Sequence, residues 1–307
     1  MIRTVRLRAL TLGVTFASVV SGALLLSAPS PQRPGPISPK SAPIVLFNGK
    51  DLNNFTTWVR DTRHEDPRHI FNVEVDQGQP VIHITGDGYG GLITKDEYTN
   101  YHLVAEYRWG ERTWGDRVDS ARDNGILIHG IGPDGGSLIQ RVDGVSPWLT
   151  SIEYQIIEGG VGDLLVLYGE PPYEVGATVD VEMRPVPSAR GGTTDQAYWK
   201  KGGVAKPIGR GANRVNWFNK DPNVPSGKGA RGAHDVDTPG QGWTRLECIA
   251  DEDKLTFIVN GVVVNEAYNV TPKAGKIQIQ TEQAEIYYRK LELQPLRRQN
   301  PQNPQNP

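Results

Sequence analysis

Short segments in which apolar and polar residues strictly alternate recur from residue 70 to residue 293, and they exclude most folds. In 101–109, Tyr101, Leu103, Ala105, Tyr107 and Trp109 share one face, with His102, Val104, Glu106 and Arg108 opposite, because successive side chains of a strand point to opposite sides. In 275–282, Ile277 and Ile279 oppose Lys276, Gln278, Gln280 and Glu282; in 152–157, Ile152, Tyr154 and Ile156 oppose Glu153 and Gln155. Further strands are expected at 70–75, 81–85, 90–94, 124–129, 163–168, 177–183, 244–250, 254–259, 262–267 and 284–293. Gly, Asn, Asp and Pro punctuate them and no long window carries a helical period, so the pattern predicts an all-β sandwich rather than alternating α/β units. In L-T-F-I-V-N-G-V-V-V, Asn260-Gly261 supplies the two positive-φ residues of a type I′ hairpin.

The ends read differently. Arg3, Arg6 and Arg8 precede an uncharged apolar run from Ala9 to Leu26, the pattern of a secretory signal. Residues 1–28 are therefore expected to be a signal peptide, 29–43 a proline-rich spacer, 44–296 the sandwich domain and 297–307 a disordered tail. The protein is expected to be exported, periplasmic or secreted, and to contact a membrane only if the N-terminal segment is retained as an anchor. Without that segment the formal charge moves from −2 to −5, which gives no electrostatic footprint for nucleic acid. Cys248 is the only cysteine and reads as a buried thiol. With no cysteine pair and no H-x-x-x-H helix a thiolate or zincin centre is excluded, while a divalent cation held by oxygens stays open.

The polar faces carry the chemistry. Glu153 and Gln155 project together, and regular alternation puts His129 on the face of Leu127 and Gly125. Across strands, Glu106, Arg108, Glu153, Gln155, Gln280 and Glu282 suit one concave cleft for a carbohydrate. Residues 184–242 break the rhythm and are rich in Gly, Pro, Lys and Arg. Trp199, Trp217 and Phe218 within them fit an ordered lid whose rings stack on sugar faces, or anchor the loop to the sandwich.

Several motifs resemble the 3-keto-disaccharide hydrolase domain family. They are I-V-L-F-N-G-K-D-L-N-N-F at 44–55, E-Y-R-W at 106–109, N-G-I-L-I-H at 124–129 and I-E-Y-Q-I-I-E-G-G-V-G-D at 152–163. F-I-V-N-G-V-V-V-N-E-A at 257–267 and G-K-I-Q-I-Q-T-E-Q-A-E-I-Y-Y-R-K-L-E-L at 275–293 complete the match. The resemblance covers the loop-rich insertion at 184–242 poorly; it implies a concanavalin A-like jelly roll, commonly exported, acting on oxidised glycosides. The chain departs from the commoner family pattern at His129, which stands where an arginine is usual.

A ketone at C3 of a sugar acidifies the C2 proton, so a base can remove it and expel the C1 oxygen. That needs a base, a group to stabilise the enolate and an acid for the leaving group. His129 or Glu153 is the candidate base and Glu282 the acid. Gln155 and Arg108 are candidates for binding hydroxyls or the enolate, with Glu106, Glu158, Gln280, Trp199 and Trp217 around the substrate. Two alternatives stay open. One is a non-catalytic carbohydrate-binding module. The other is a retaining hydrolase using Glu153 and Glu158, for which a β-bulge must bring both carboxyls to one face.

Overall fold

The computed structural model describes residues 35–188, 191–224 and 227–297. The expected signal peptide, the first part of the spacer and nearly all of the tail lie outside them. The rest of the spacer is docked rather than free: Ile37 bridges Tyr98, and the Ser38 hydroxyl donates to the carbonyl of Asn100 at 2.9 Å.

The strands run in chain order. The first six are β1 (Ile44–Val45), β2 (Phe55–Val59), β3 (Phe71–Asp76), β4 (Gln79–Ile84), β5 (Tyr89–Thr94) and β6 (Tyr101–Thr113). A 3₁₀ turn at Gly115–Arg117 leads to β7 (Asp123–Ile131), β8 (Thr150–Ile157), β9 (Leu164–Leu167) and β10 (Gly176–Pro187). Then come β11 (Thr193–Trp199), β12 (Val204–Ile208), β13 (Arg214–Val215) and β14 (Thr244–Asp251). The last four are β15 (Lys254–Val259), β16 (Val262–Thr271), β17 (Lys276–Glu282) and β18 (Ala284–Gln294).

They form two antiparallel sheets. The larger has the order β11-β10-β16-β15-β14-β6-β18-β4-β3, with β1 added to β18 and β12 to β10; the smaller has the order β13-β9-β8-β7-β17-β5-β2. This is an antiparallel two-sheet β-sandwich, as the alternation predicts. The alternation read from sequence decides its interior. Tyr101, Leu103, Ala105, Tyr107 and Trp109 of β6 meet Ile152, Tyr154 and Ile156 of β8 in one core. Each such side chain contributes roughly 1.5–3 kcal/mol by leaving water. The rings of Tyr154 and Phe257 stack across the sandwich at 4.1 Å. Asn124, wholly buried, accepts from the Tyr288 hydroxyl at 3.1 Å and donates to the carbonyl of Gln280 at 2.9 Å, so its polar atoms are satisfied. The Asn260-Gly261 turn has the expected positive φ at both residues, 46° and 82°.

Residues 184–242 differ from the expectation of a loop-rich lid. The end of β10 and all of β11, β12 and β13 fall there. β11 and β12 pair in sequence with β10, from Pro187↔Thr193 to Ala177↔Ile208, as one strand interrupted at 200–203. Tyr198 of β11 bridges Asn216, beside β13, and so ties this arm to the smaller sheet. Trp199 and Trp217 are anchors rather than sugar platforms: both are buried in the core and both pack edge-on to Phe218, at 5.8 and 5.4 Å.

Candidate active site

On the outer face of the smaller sheet, glycine leaves room where carboxyls and amides gather. Gly125 of β7 is paired with Gln155 of β8, and Leu127 with Glu153. On the other side β17 brings Gln278 against Leu127 and, by alternation, Gln280 towards Gly125. A Cβ on Gly125 would lie 2.5 Å from Oε1 of Gln280 and 2.6 Å from Oε1 of Glu153. Only glycine lets these two side chains converge there. Leu127, Trp148 and Leu167 form an apolar wall beside them. Gln278 holds the loop bearing Trp148, accepting from the Leu149 N–H and donating to the Pro147 carbonyl, both at 2.9 Å.

One row along, Asp123 and Glu282 are bridged by Arg117, whose Nη2 lies 2.6 Å from each. Gln155 donates its amide to the other oxygen of Asp123. The 3₁₀ turn carrying Arg117 is itself fixed by Gln283, whose side chain accepts from the Asp116 N–H at 3.0 Å and whose carbonyl accepts from the Trp114 N–H at 2.8 Å. Further out, Asp163 is wholly buried and takes bonds from Arg214, Lys220 and the Trp217 N–H.

Four carboxyls (Asp123, Glu153, Asp163 and Glu282) thus share three cations, Arg117, Arg214 and Lys220, and among the described residues Glu153 has no ion pair of its own. Burial, then the charges of Glu282 and Asp123, push the Glu153 carboxyl well above the usual range. Burial and the charge of Glu282 raise Asp123 likewise, and burial raises Glu282 despite Arg117. Asp163 goes the other way: burial opposes ionisation, but Lys220 and Arg214 outweigh it. Hydrogen-bonding capacity is left over. Oε1 of Gln155 and both amide atoms of Gln280 are buried without a well-aligned partner, the Gln280 amide only leaning on the Glu153 carboxyl. Unspent buried polar atoms gathered on one face of a sheet are groups that a ligand would satisfy.

The structure therefore unites Glu153, Gln155, Gln280 and Glu282, and it separates the rest. Glu106 and Arg108 lie on β6, in the other sheet, not in this cluster. Glu106 is held by Arg289 at 2.6 Å; Arg108 pairs with Asp76 at 2.8 Å and lies over the Tyr287 ring. His129 does not share the face of Gly125. The β7–β8 register shifts between Ile128 and Ile131, and φ of His129 is 54°. Its ring turns into the core, edge-on to Tyr101, with Nδ1 3.0 Å from the Pro272 carbonyl. Burial lowers its pKa to about 4, so it is neutral. Glu158 follows an unbulged β8, beyond the strand's end, and is clamped by Arg122 and the Gly229 N–H, which removes the Glu153–Glu158 pairing.

Asp123, Arg117 and Arg214 were missed. Asp123 had a signal, standing two residues before Gly125 on the same face; the two arginines sit on a turn and a two-residue strand that no periodicity marks. Among the described residues no group of three or more His, Cys, Asp or Glu could hold a metal ion, and no helix is long and apolar enough to cross a membrane.

Comparison with known proteins gives one broad match and several distant ones. No curated protein matches. Among solved structures, a provisionally assigned glycosyl hydrolase from Parabacteroides distasonis is 14% identical, covering 83% of this chain and 94% of its own at a TM-score of 0.43. A carbohydrate binding module from Bacillus subtilis is 8% identical, covering 78% and 93% at 0.39. A non-specific endo-β-1,3(4)-glucanase is 10% identical, covering 84% and 93% at 0.35. The profile of the 3-keto-alpha-glucoside-1,2-lyase-like domain matches residues 42–294, and the chain belongs to that family.

Proposed function

We propose that the protein is an exported carbohydrate-active enzyme that cleaves 3-keto glycosides by elimination across C1–C2. The observation that carries this reading is the convergence of Glu153 and Gln280 over Gly125, beside the Arg117-bridged pair of Asp123 and Glu282. Glu153, raised by burial, is a stronger base in its ionised form than a solvated carboxylate. It takes the C2 proton. The C2–H electron pair becomes the enolate of the C3 ketone, with the unspent amide atoms of Gln155 and Gln280 binding the enolate oxygen and ring hydroxyls. As the ketone re-forms, C1=C2 forms and the C1–O bond breaks. Asp123 and Glu282, two carboxyls on one guanidinium, hold one proton between them and give it to the departing oxygen. Water added to the enone in a later step yields the free keto sugar. No redox partner is needed.

The test is an assay of the purified protein on a 3-keto disaccharide and on its unoxidised parent, following the ultraviolet absorbance of the enone and release of the second sugar. Turnover of the keto sugar alone is expected, and Glu153→Gln lowers it roughly 10²–10⁴-fold. Equal turnover of the parent sugar argues for ordinary hydrolysis. Tight binding with no turnover of either supports a carbohydrate-binding module, which the unspent amides would also serve.

A further inference from the structure

The arm that sequence reading took for a lid encloses a second feature. A cavity of about 590 Å3 lies at the β9–β13 edge of the smaller sheet, between that edge and β11–β12. Its volume falls within the ~300–1,000 Å3 of small-molecule sites. Two of its lining residues tie it to the carboxyl cluster from below. Ile157 is the cross-strand partner of Asp123, and Ala121 offers its carbonyl to Arg117 at 3.4 Å. Arg214 ties it from the side. It lines the cavity, pairs through Leu165 of β9 to the row of Glu153, and is the cation that opposes the rise of the Glu153 carboxyl.

We infer that this cavity is the leaving-group subsite and that it selects a hydroxyl-rich group, a second sugar, over a small or apolar one. The inference rests on the elimination reading above. Three observations support it. Asp123, one member of the acid pair, is the cross-strand partner of Ile157, which lines the cavity, and a proton must reach the oxygen departing from C1. The far wall carries polar groups among apolar ones: Gln196 of β11, which accepts from the Asn216 amide at 2.9 Å, and Lys206 of β12 line it beside Met183 and Val186. Lys206 makes no ion pair among the described residues. Finally, β11, which gives Ala197 and Trp199 to the core, is pinned to the smaller sheet through Asn216, whose N–H donates to the Ala197 carbonyl and whose carbonyl accepts from the Trp199 N–H, both at 2.9 Å. The arm is thereby fixed where it walls the cavity. A hydrogen-bonding wall discriminates against a leaving group without hydroxyls, because its polar groups then stay unpaired.

The experiment compares kcat/KM for a 3-keto disaccharide with that for the methyl 3-keto-glucoside of the same sugar. The measured quantity is the ratio of the two, in the full-length wild type and in Gln196→Ala and Lys206→Gln. Both positions are accessible, so both variants are expected to fold; matching melting curves check this. The wild type is expected to prefer the disaccharide, and the double variant to lose about tenfold of that preference, the worth of one to two hydrogen bonds. A wild type without preference, or a ratio unmoved by the double variant, overturns the subsite. If neither substrate turns over, the elimination reading fails while the subsite is read by calorimetry with the same two sugars. Tighter binding of the disaccharide, abolished in the double variant, upholds it; equal binding removes it.

Discussion

Asp123 and Glu282 share one nitrogen of Arg117, each 2.6 Å from it, although they come from β7 and β17 and the arginine from a single 3₁₀ turn. Removing that arginine leaves two buried carboxyls with no cation between them. Arg117→Gln is expected to cost about 3 kcal/mol of stability near neutral pH. The loss should shrink in acid, because the orphaned carboxyls are raised further and simply keep their protons. Urea denaturation at two pH values checks this; a loss independent of pH would mean that the bridge is not electrostatic.

The wild type carries a related pH dependence. Glu153, Asp123 and Glu282 all sit above the usual carboxylate range when folded, burial being the first cause in each. The native state then holds protons that the unfolded chain has released. That contribution is complete below the ordinary values of 3.8 and 4.5 and declines as pH rises towards the folded values, by at most ~1.4 kcal/mol per pH unit for each group. Asp163, lowered by Lys220 and Arg214, adds stability above 3.8 that is lost as pH falls through its folded value. The melting temperature is therefore expected to fall as pH rises above about 4.5, and Glu153→Gln to flatten that fall and melt higher at the alkaline end. An identical slope in the variant would show that Glu153 is not the buried acid.

How much of this was legible in the sequence depends on the kind of signal. Strand alternation gave the interior, because Ile152, Tyr154 and Ile156 can reach the core only if Glu153 and Gln155 do not. It could not say to which sheet a strand belongs, so Glu106 and Arg108 were grouped with residues that lie on the far side of the sandwich. Thr193–Trp199 was unreadable for another reason: its first four residues are exposed and polar, and pairing with β10 rather than a buried face holds it. His129 failed on one residue of register. A shift at Ile128–Ile131 reverses a side chain without changing the pattern of letters.

That reversal has its own test. His129 is buried, neutral and packed on Tyr101. Asparagine tolerates the left-handed backbone found there but fills less of the core. His129→Asn should lower stability by about 1–3 kcal/mol and leave the pH profile of kcat/KM in place. Loss of a limb of that profile near neutrality, where an ordinary imidazole titrates, would return His129 to the chemistry.

The sharpest prediction concerns a residue with no side chain. Gly125→Ala adds one carbon, which would sit 2.5 Å from Oε1 of Gln280 and 2.6 Å from Oε1 of Glu153. Both are ends of flexible side chains, so they can move aside, and alanine in a central strand carries no backbone penalty of the kind a positive φ would impose. The fold should survive with at most a modest loss of stability. The geometry over the glycine should not, because the base and the amide are displaced together by about an ångström, and a misplacement of that size costs roughly 10²-fold in rate. The expected result is a folded protein with a near-normal melting curve and kcat/KM for the 3-keto disaccharide reduced about a hundredfold. Full activity in a well-folded Gly125→Ala would mean that substrate never approaches this part of the sheet, and the reaction centre would have to lie elsewhere.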